Sequence, residues 1–423
     1  MRKRPRERTA SDLATVRGGR ERLRRLRSRK EIQAAARQVR LAGMEAWIVG
    51  GAVRDALLAR PVPDVDLAIA GDAEKLARAL ERGGFGRCVR LSEESPRVFR
   101  VAGRRELDLA ELERGSIESD LTRRDFTANA MAVHLITGEL VDPCGGLADL
   151  LRGELRLVSE ANLADDPLRA LRAARFLATH GLLPNAAALS ACRRVAPRLS
   201  EAKAERIQAE LRKILEAPRA FPALLWAGRA RLLGPALGLP ASAKRLEVLD
   251  APPVRRRKPD ERLRLRLCLL AARLGLSPRE ASRWLAERRW SREVAGESAR
   301  LLELTAQARE AAGADEQWRW VRDAGALWKD ALSVFVALEP ARRGRARRLA
   351  SRAARARRAL RVRGRDVLAW TGLPPGPLVG RLLREMEVET LRGRLRSRRE
   401  ARKWLVERCS RKLSRRGPGR RGL

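Results

Sequence analysis

The chain has two histidines and five cysteines in 423 residues, and these scarcities exclude several chemistries at once. Cys88, Cys144, Cys192, Cys268 and Cys409 are odd in number and widely scattered, with no C-x-x-C pair and no Cys/His cluster. Neither a zinc site nor a disulfide framework is supported, and a reducing, cytoplasmic setting fits. His134 and His180 stand alone in the sequence and read as packed or surface residues rather than catalysts. No apolar run reaches the roughly 18 residues of a membrane span, and no signal-peptide pattern appears, so no membrane partner is expected. Acidic residues are also scarce against basic ones: 52 Asp and Glu face 92 Lys and Arg, for a net charge of +40 and a pI near 11.6. Such an excess points to a polyanionic partner, and nucleic acid is the favoured one.

What is present concentrates between Trp47 and Ile69, WIVGGAVRDALLARPVPDVDLAI. Trp47-Ile48-Val49 fits a short buried strand that Gly50-Gly51 breaks. Residues 52–58 suit a helix with Val53 and Leu57 turned to a core, and Pro61 and Pro63 stop it. A second strand follows, in which Val65, Leu67 and Ile69 alternate with Asp64, Asp66 and Ala68. Side chains two apart on a strand share a face, so Asp64 and Asp66 point the same way. Gly50 and Gly51 let backbone N–H groups approach a phosphate at a helix start, and Arg54, one turn in, can pair with a phosphate oxygen. Two carboxylates on one face can hold Mg²⁺, a hard ion that prefers carboxylate, phosphate and water oxygens. A strand over 106–112 would add Asp108 as a third carboxylate if it pairs beside the D-x-D strand, with Glu111 as a fallback on the opposite face.

The spacing of G-G-x-V-R-D and D-x-D resembles the nucleotidyltransferase superfamily that includes class II tRNA CCA-adding enzymes and bacterial poly(A) polymerases. There an acidic residue at the place of Asp108 completes the metal site, so the resemblance implies Asp64, Asp66 and Asp108 as catalytic metal ligands. Residues 120–132, DLTRRDFTANAMA, read from the residues alone as a capped helix in which Asp125 or Thr127 caps and Ala130, Met131 and Val133 pack. R-R-D-F-T-x-N-A is a hallmark of the class II enzymes, and the resemblance makes Arg124 a nucleotide contact and Asp125 the holder of the ribose. Residues 140–158 match the D-P-x-G-G-x-x-D-L segment and are expected to be a structural linker.

Asp165-Asp166-Pro167 opens a helix through Phe176. Asp166 and Arg169, three apart, are neighbours on it, while Arg175 lies about half a turn from Asp166. A carboxylate accepts from the exocyclic amine of cytosine or adenine, and an arginine beside it donates to a ring nitrogen or carbonyl. The pair could therefore choose C and A over U and G without a template. The segment resembles the E-D-x-x-R motif, which does this job, with Asp165 in place of Glu; Arg172 and Arg175 match further nucleotide-contacting arginines.

The expected architecture is α+β: a nucleotidyltransferase head with a mixed sheet and helices over 31–158, a helical neck over 159–220 and a helical RNA-binding body and tail over 221–411. Basic segments at 1–30 and 412–423 are expected to be disordered. Trp284, Trp290, Trp318, Trp320 and Trp328 read as packing residues, and the arginine-laden helix over 341–363 as a solvated face suited to an RNA backbone. The family resemblance implies transfer of C or A from CTP or ATP to a tRNA 3′ end with Mg²⁺. Poly(A) addition is the alternative and a non-catalytic RNA-binding protein the third reading. Only residues 109–123 separate Asp108 from Arg124, a short connection that among relatives marks enzymes adding CC alone.

Overall fold

The computed structural model describes residues 18–92, 96–112, 116–238, 246–359, 362–391 and 394–414. The chain divides into two compact units, 1–214 with 222–241 and 215–221 with 242–423. The first carries all the candidate site residues. It begins with two helices, α1 (Gly19–Arg27) and α2 (Lys30–Leu41). Residues 19–27 were expected within a disordered arm, and the structure corrects this. Leu23 and Leu26, three apart, are both buried, and Arg22 donates to the carbonyls of Ala56 and Leu57 at 3.1 Å each. A sparse apolar stripe is enough to seat a helix whose charges stay in water. Residues 1–17 and 415–423, also expected to be disordered, lie outside the described residues.

The strands are β1 (Glu45–Val49), β2 (Val65–Ala70), β3 (Arg87–Ser92), β4 (Val98–Ala102), β5 (Glu106–Glu111), β6 (Ala132–His134) and β7 (Leu140–Val141), in the order β3-β4-β5-β2-β1-β6-β7. Neighbours are antiparallel except β2 and β5, which run parallel. Between β1 and β2 lies α3 (Gly51–Leu57), and α4 (Ala73–Arg82) follows β2, its first turn capped by the Asp72 side chain. The alternating residues of the strands meet the core as the pattern requires: Leu67, Ile69, Phe99, Val101, Leu107 and Leu109 are all buried. Edge strand β3 has no counterpart in the sequence reading. Its R-C-V-R-L-S leaves Val89 and Leu91 exposed, so no clean in–out alternation marks it.

Residues 120–132 depart from the expected capped helix. A short helix α5 (Ile117–Thr122) takes only their first three residues, a 3₁₀ turn spans Thr127–Asn129, and β6 takes residues 132–134. Phe126 makes an isolated bridge to Leu157, and Asp125 Oδ1 accepts from its neighbour's N–H at 2.8 Å and from Asn129 Nδ2 at 2.9 Å. Sheet pairing with β1 and these side-chain bonds outcompete helix propensity, as short polar side chains near a turn often do. Ala130, Met131 and Val133 are buried as expected. The linker helix α6 (Gly146–Arg152) is set by Asp142, which accepts the N–H groups of Gly146 (2.7 Å) and Leu147 (2.9 Å). Then come α7 (Glu160–Asp165), α8 (Leu168–His180), α9 (Ala186–Val195) and the neck helix α10 (Ala204–Glu216). Along α10, Ile207, Leu211, Ile214 and Leu215 are buried.

The second unit is helical. Trp284, Trp290 and Trp320 are buried, and Trp320 Nε1 donates to the Leu304 carbonyl at 2.8 Å, so these three pack as expected. The side chain of Trp318 lies outside the described residues. Arg266 is fully buried and satisfied by the carbonyls of Leu249 (2.9 Å), Leu215 (2.6 Å) and Pro218 (3.2 Å) and by Asp250 (2.7 Å). Helix Arg343–Ala359 buries Ala346, Leu349 and Ala353 and leaves Arg347 and Arg348 exposed. Towards the C-terminus Val367, Leu382, Met386 and Leu405 form a separate small core. Among the described residues no helix is long and apolar enough to cross a membrane.

Candidate active site

A cleft of about 590 Å³ opens on the first unit, between the Gly50 turn, the 120–129 segment and α8. Six arginines and four aspartates line it, so it suits a ligand carrying several negative charges. Gly50 sits at the turn from β1 into α3 with φ of +65°, and an added Cβ would strike the Arg124 guanidinium. Only glycine satisfies both demands. Its N–H, expected to face phosphate, instead donates to the Met131 carbonyl at 3.0 Å; Gly51 is the glycine that lines the cleft.

Arg54 also lines the cleft, but its side chain is buried and each of its nitrogens has a partner. Nε and Nη2 each lie 2.9 Å from the Asp55 carboxylate, and Nη1 donates to Asn129 Oδ1 at 2.5 Å. The side chain expected to pair with a phosphate oxygen one helical turn in thus has three of its five N–H groups engaged. Its Cζ is 5.0 Å from the centroid of the Phe176 ring. Asp55 in turn meets His180 Nε2 at 3.1 Å. Since a carboxylate only accepts, Nε2 carries the proton and Nδ1, 2.7 Å from the Thr179 hydroxyl, stays bare. Burial, followed by the nearby Arg54 charge, outweighs the Asp55 contact and draws the His180 pKa down to about 4. Burial works against the Asp55 anion, yet hydrogen bonds from His180 and Arg54 prevail and hold it at about 2.

A stability consequence follows. Unfolded chains bind the extra imidazole proton between pH 6.5 and about 4, while folded ones do not. Stability is then complete above pH 6.5 and falls as pH drops through that window, by roughly 2–3 kcal/mol. Urea denaturation of His180→Gln should show a flatter profile from pH 7 to 4 than the parent. Parallel profiles would contradict this.

On the opposite wall, β2 and β5 pair in parallel with Asp66 directly beside Asp108, and Asp108 faces Arg100 across β4. Asp64 stands at the entry of β2 rather than within it. The Asp66 pKa is raised, first by lost hydration, then by the negative charge of Asp108, with a smaller push from Asp64 that Arg124 and Arg100 oppose. Carboxylates that repel one another are a donor set waiting for a cation. The third member is not free, however. Asp108 Oδ1 accepts from Arg100 Nε and Oδ2 from Nη2, both at 2.7 Å. Among the described residues no group of three or more His, Cys, Asp or Glu is arranged to hold a metal. Asp64 and Asp66 fit Mg²⁺ in the manner of ions bound by two carboxylates plus substrate phosphates; Asp108 would share its oxygens between a cation and Arg100.

Arg124 closes the near wall, with Nε and Nη2 at 3.1 and 2.8 Å from Asp120 Oδ2. Asp125 is buried, and its Oδ2 lies 3.1 Å from Arg172 Nη2 as an ion pair without hydrogen-bond geometry. Arg172 Nε is buried with no hydrogen-bond partner among the described residues. An orphaned donor beside a cleft is the kind of group an acceptor-rich ligand satisfies. Arg169 lines the cleft and donates to the Asn162 (2.8 Å) and Arg123 (3.2 Å) carbonyls. Its expected partner Asp166 faces α10, accepting from Arg206 at 2.7 Å and from the Leu168 N–H at 3.3 Å, while Asp165 lines the cleft. Arg175 lines the cleft too but pairs with Glu210 of α10 at 2.6 Å; burial lowers its pKa and Glu210 opposes this.

The structure therefore brings Gly51, Arg54, Asp66, Arg124, Asp125, Arg169, Arg172 and Arg175 to one cleft. Sequence reasoning left out Asp55, Arg100, Asp120, Asn129 and Phe176. Four of them lie inside quoted motifs, where a polar or aromatic residue next to a proposed ligand was signal enough. Arg100 had no motif to mark it.

Comparison with known proteins gives the family and the fold. The poly A polymerase head domain profile matches residues 46–115 and 93–156. A CC-adding tRNA nucleotidyltransferase of Geobacter sulfurreducens is 34% identical, covering 86% of this chain and 92% of the relative. A CCA-adding enzyme of Streptococcus gordonii is 31% identical, over 86% and 93%. Among solved structures, the Bacillus stearothermophilus CCA-adding enzyme in complex with CTP superposes with a TM-score of 0.67 at 27% identity, over 92% of this chain and all of that one. Members of this group of nucleotidyltransferases generally depend on Mg²⁺. With matching motifs, fold and near full-length similarity, the chain belongs to the family of CCA- and CC-adding tRNA nucleotidyltransferases.

Proposed function

We propose that this protein is the CC-adding form of the enzyme, transferring cytidylate from CTP to the 3′ end of tRNA in the cytoplasm. The observation that carries the catalytic part is the side-by-side placement of Asp66 and Asp108 on parallel strands beside an arginine-lined cleft. The tRNA 3′-hydroxyl oxygen attacks the α-phosphorus of CTP, the bond to the β-phosphate oxygen breaks, and pyrophosphate leaves. Asp64 and Asp66, with Asp108, would hold Mg²⁺, which when bound acidifies the attacking hydroxyl and offsets the charge on the phosphates. Arg124 and Arg172 face the triphosphate, and Asp125 the ribose. Asp166 and Arg169 read the base once Asp166 turns from Arg206; Arg54 and Arg175 act through their carboxylate partners to shape the wall rather than as free phosphate ligands. Residues 31–158 serve as head, 159–220 as neck and 221–411 as body and tail, where exposed arginines such as Arg347 and Arg348 suit a tRNA backbone.

Restriction to C rests on residues 109–123. Within them, Ile117 and Leu121 are buried against Trp47, Val49, Ala130 and Ala132, and Asp120 is tied to Arg124. Residues 117–124, held to the core in this way, keep that wall of the pocket in one setting. Selection itself is testable. Arg169→Ala should lower the ratio of kcat/KM for CTP over UTP on tRNA lacking its terminal CCA by about ten- to hundredfold, the worth of one lost bidentate base contact. An unchanged ratio would remove Arg169 from base reading.

A further inference from the structure

We propose that Arg100 is a positioning residue for the metal site: a guanidinium latch that engages both oxygens of Asp108 and competes with a divalent cation for them. The inference rests on the reading of Asp64, Asp66 and Asp108 as metal carboxylates.

Three adjacent strands put Asp66, Asp108 and Arg100 in one row, Asp66 beside Asp108 and Asp108 beside Arg100. Parallel hydrogen bonds of 2.7 Å engage both oxygens of Asp108, the fork geometry in which arginine binds a carboxylate most firmly. The outer amine, Nη1, lies 3.0 Å from Glu106 Oε2 at the start of the same strand as Asp108. A second acceptor is thus within reach when the guanidinium leaves Asp108. Neither partner is deeply buried, with side chains 35% and 25% exposed, so the exchange needs no opening of the core. The arrangement also gives Asp108 a counter-charge in the absence of a cation, which limits its repulsion of Asp66. A cation arriving without nucleotide meets Asp108 with both oxygens already engaged.

Charge alone and a latch make different predictions, and lysine separates them. Arg100→Gln removes the positive charge and the fork. Arg100→Lys keeps the charge but offers a single point donor, leaving one Asp108 oxygen uncovered. The experiment titrates the full-length proteins with Mn²⁺ alone, following free Mn²⁺ by electron paramagnetic resonance with no nucleotide or tRNA present. The latch predicts half-saturation at about three- to tenfold lower Mn²⁺ in Arg100→Gln, and most of that gain in Arg100→Lys as well. Binding in Arg100→Lys that equals the parent reduces Arg100 to a distant charge and overturns the latch, as does unchanged or weaker binding in Arg100→Gln. The Asp64→Ala, Asp66→Ala double variant reports on the underlying reading. Loss of the Mn²⁺ site there, with an unaltered Arg100→Lys, sinks the latch alone; a retained site sinks the metal assignment and the latch with it.

Discussion

Asp66→Asn should lower the single-turnover rate of C addition by about 10³-fold or more, equivalent to about 4 kcal/mol of transition-state stabilisation. Asparagine keeps the shape of the side chain and one acceptor oxygen, but it removes the charge that makes this position a ligand for a hard cation. The structure separates this loss from any defect in folding. The ionised form of Asp66 is disfavoured in the folded chain, by lost hydration and by Asp108 and Asp64, so a neutral side chain relieves a repulsion. Asp66→Asn is therefore expected to unfold at the same or a higher temperature than the parent while binding tRNA unchanged, since Asp66 lies on the cleft wall and not on the arginine-rich helices. Loss of activity accompanied by loss of stability or of tRNA affinity would mean that Asp66 is a structural residue.

The second large effect concerns where synthesis stops. With CTP and ATP together, addition is expected to end after two C residues. Asp166 and Arg169 can satisfy either base that presents an exocyclic amine, so passing from C to A requires the pocket around them to change. The wall that would have to move is the segment leading into Arg123 and Arg124. Its carbonyls at Thr122 and Arg124 each accept from Asn162 Nδ2 at 2.8 Å, and that at Arg123 accepts from Arg169. Ile117 and Leu121 fasten it below. Moving the wall would break the same contacts that orient Arg169. Between Asp108 and Arg124 there is no long connection to absorb the change.

Much of this was legible in the sequence because the local rules agree there. Trp47 to Val49, the glycine break and the alternation of Val65, Leu67 and Ile69 each demand one local structure, and the sheet delivers it. Period-two alternation fixed the face Asp108 takes on its strand, while its place beside Asp66, left conditional by the sequence, comes from the parallel pairing of β2 and β5. What the sequence did not show depends on what a side chain finds across the fold. Arg54 reads as a phosphate ligand until Asp55, Asn129 and Phe176 surround it. Asp166 and Arg175 sit where the motif puts them, but their partners Arg206 and Glu210 arrive from the neck helix some 35 to 40 residues on. Residues 120–132 looked helical because apolar spacing there suits a helix, whereas pairing of β6 with β1 decided the outcome.

The most direct test is extension of a tRNA lacking its terminal CCA, resolved to single nucleotides, with Mg²⁺ and CTP alone, ATP alone, or both. Two added C residues are expected with CTP, no addition with ATP alone, and the same two-nucleotide product when both are present. A completed CCA would contradict the restriction read from residues 109–123, long A tails with ATP alone would contradict the tRNA-specific reading, and no incorporation under any condition would contradict catalysis itself.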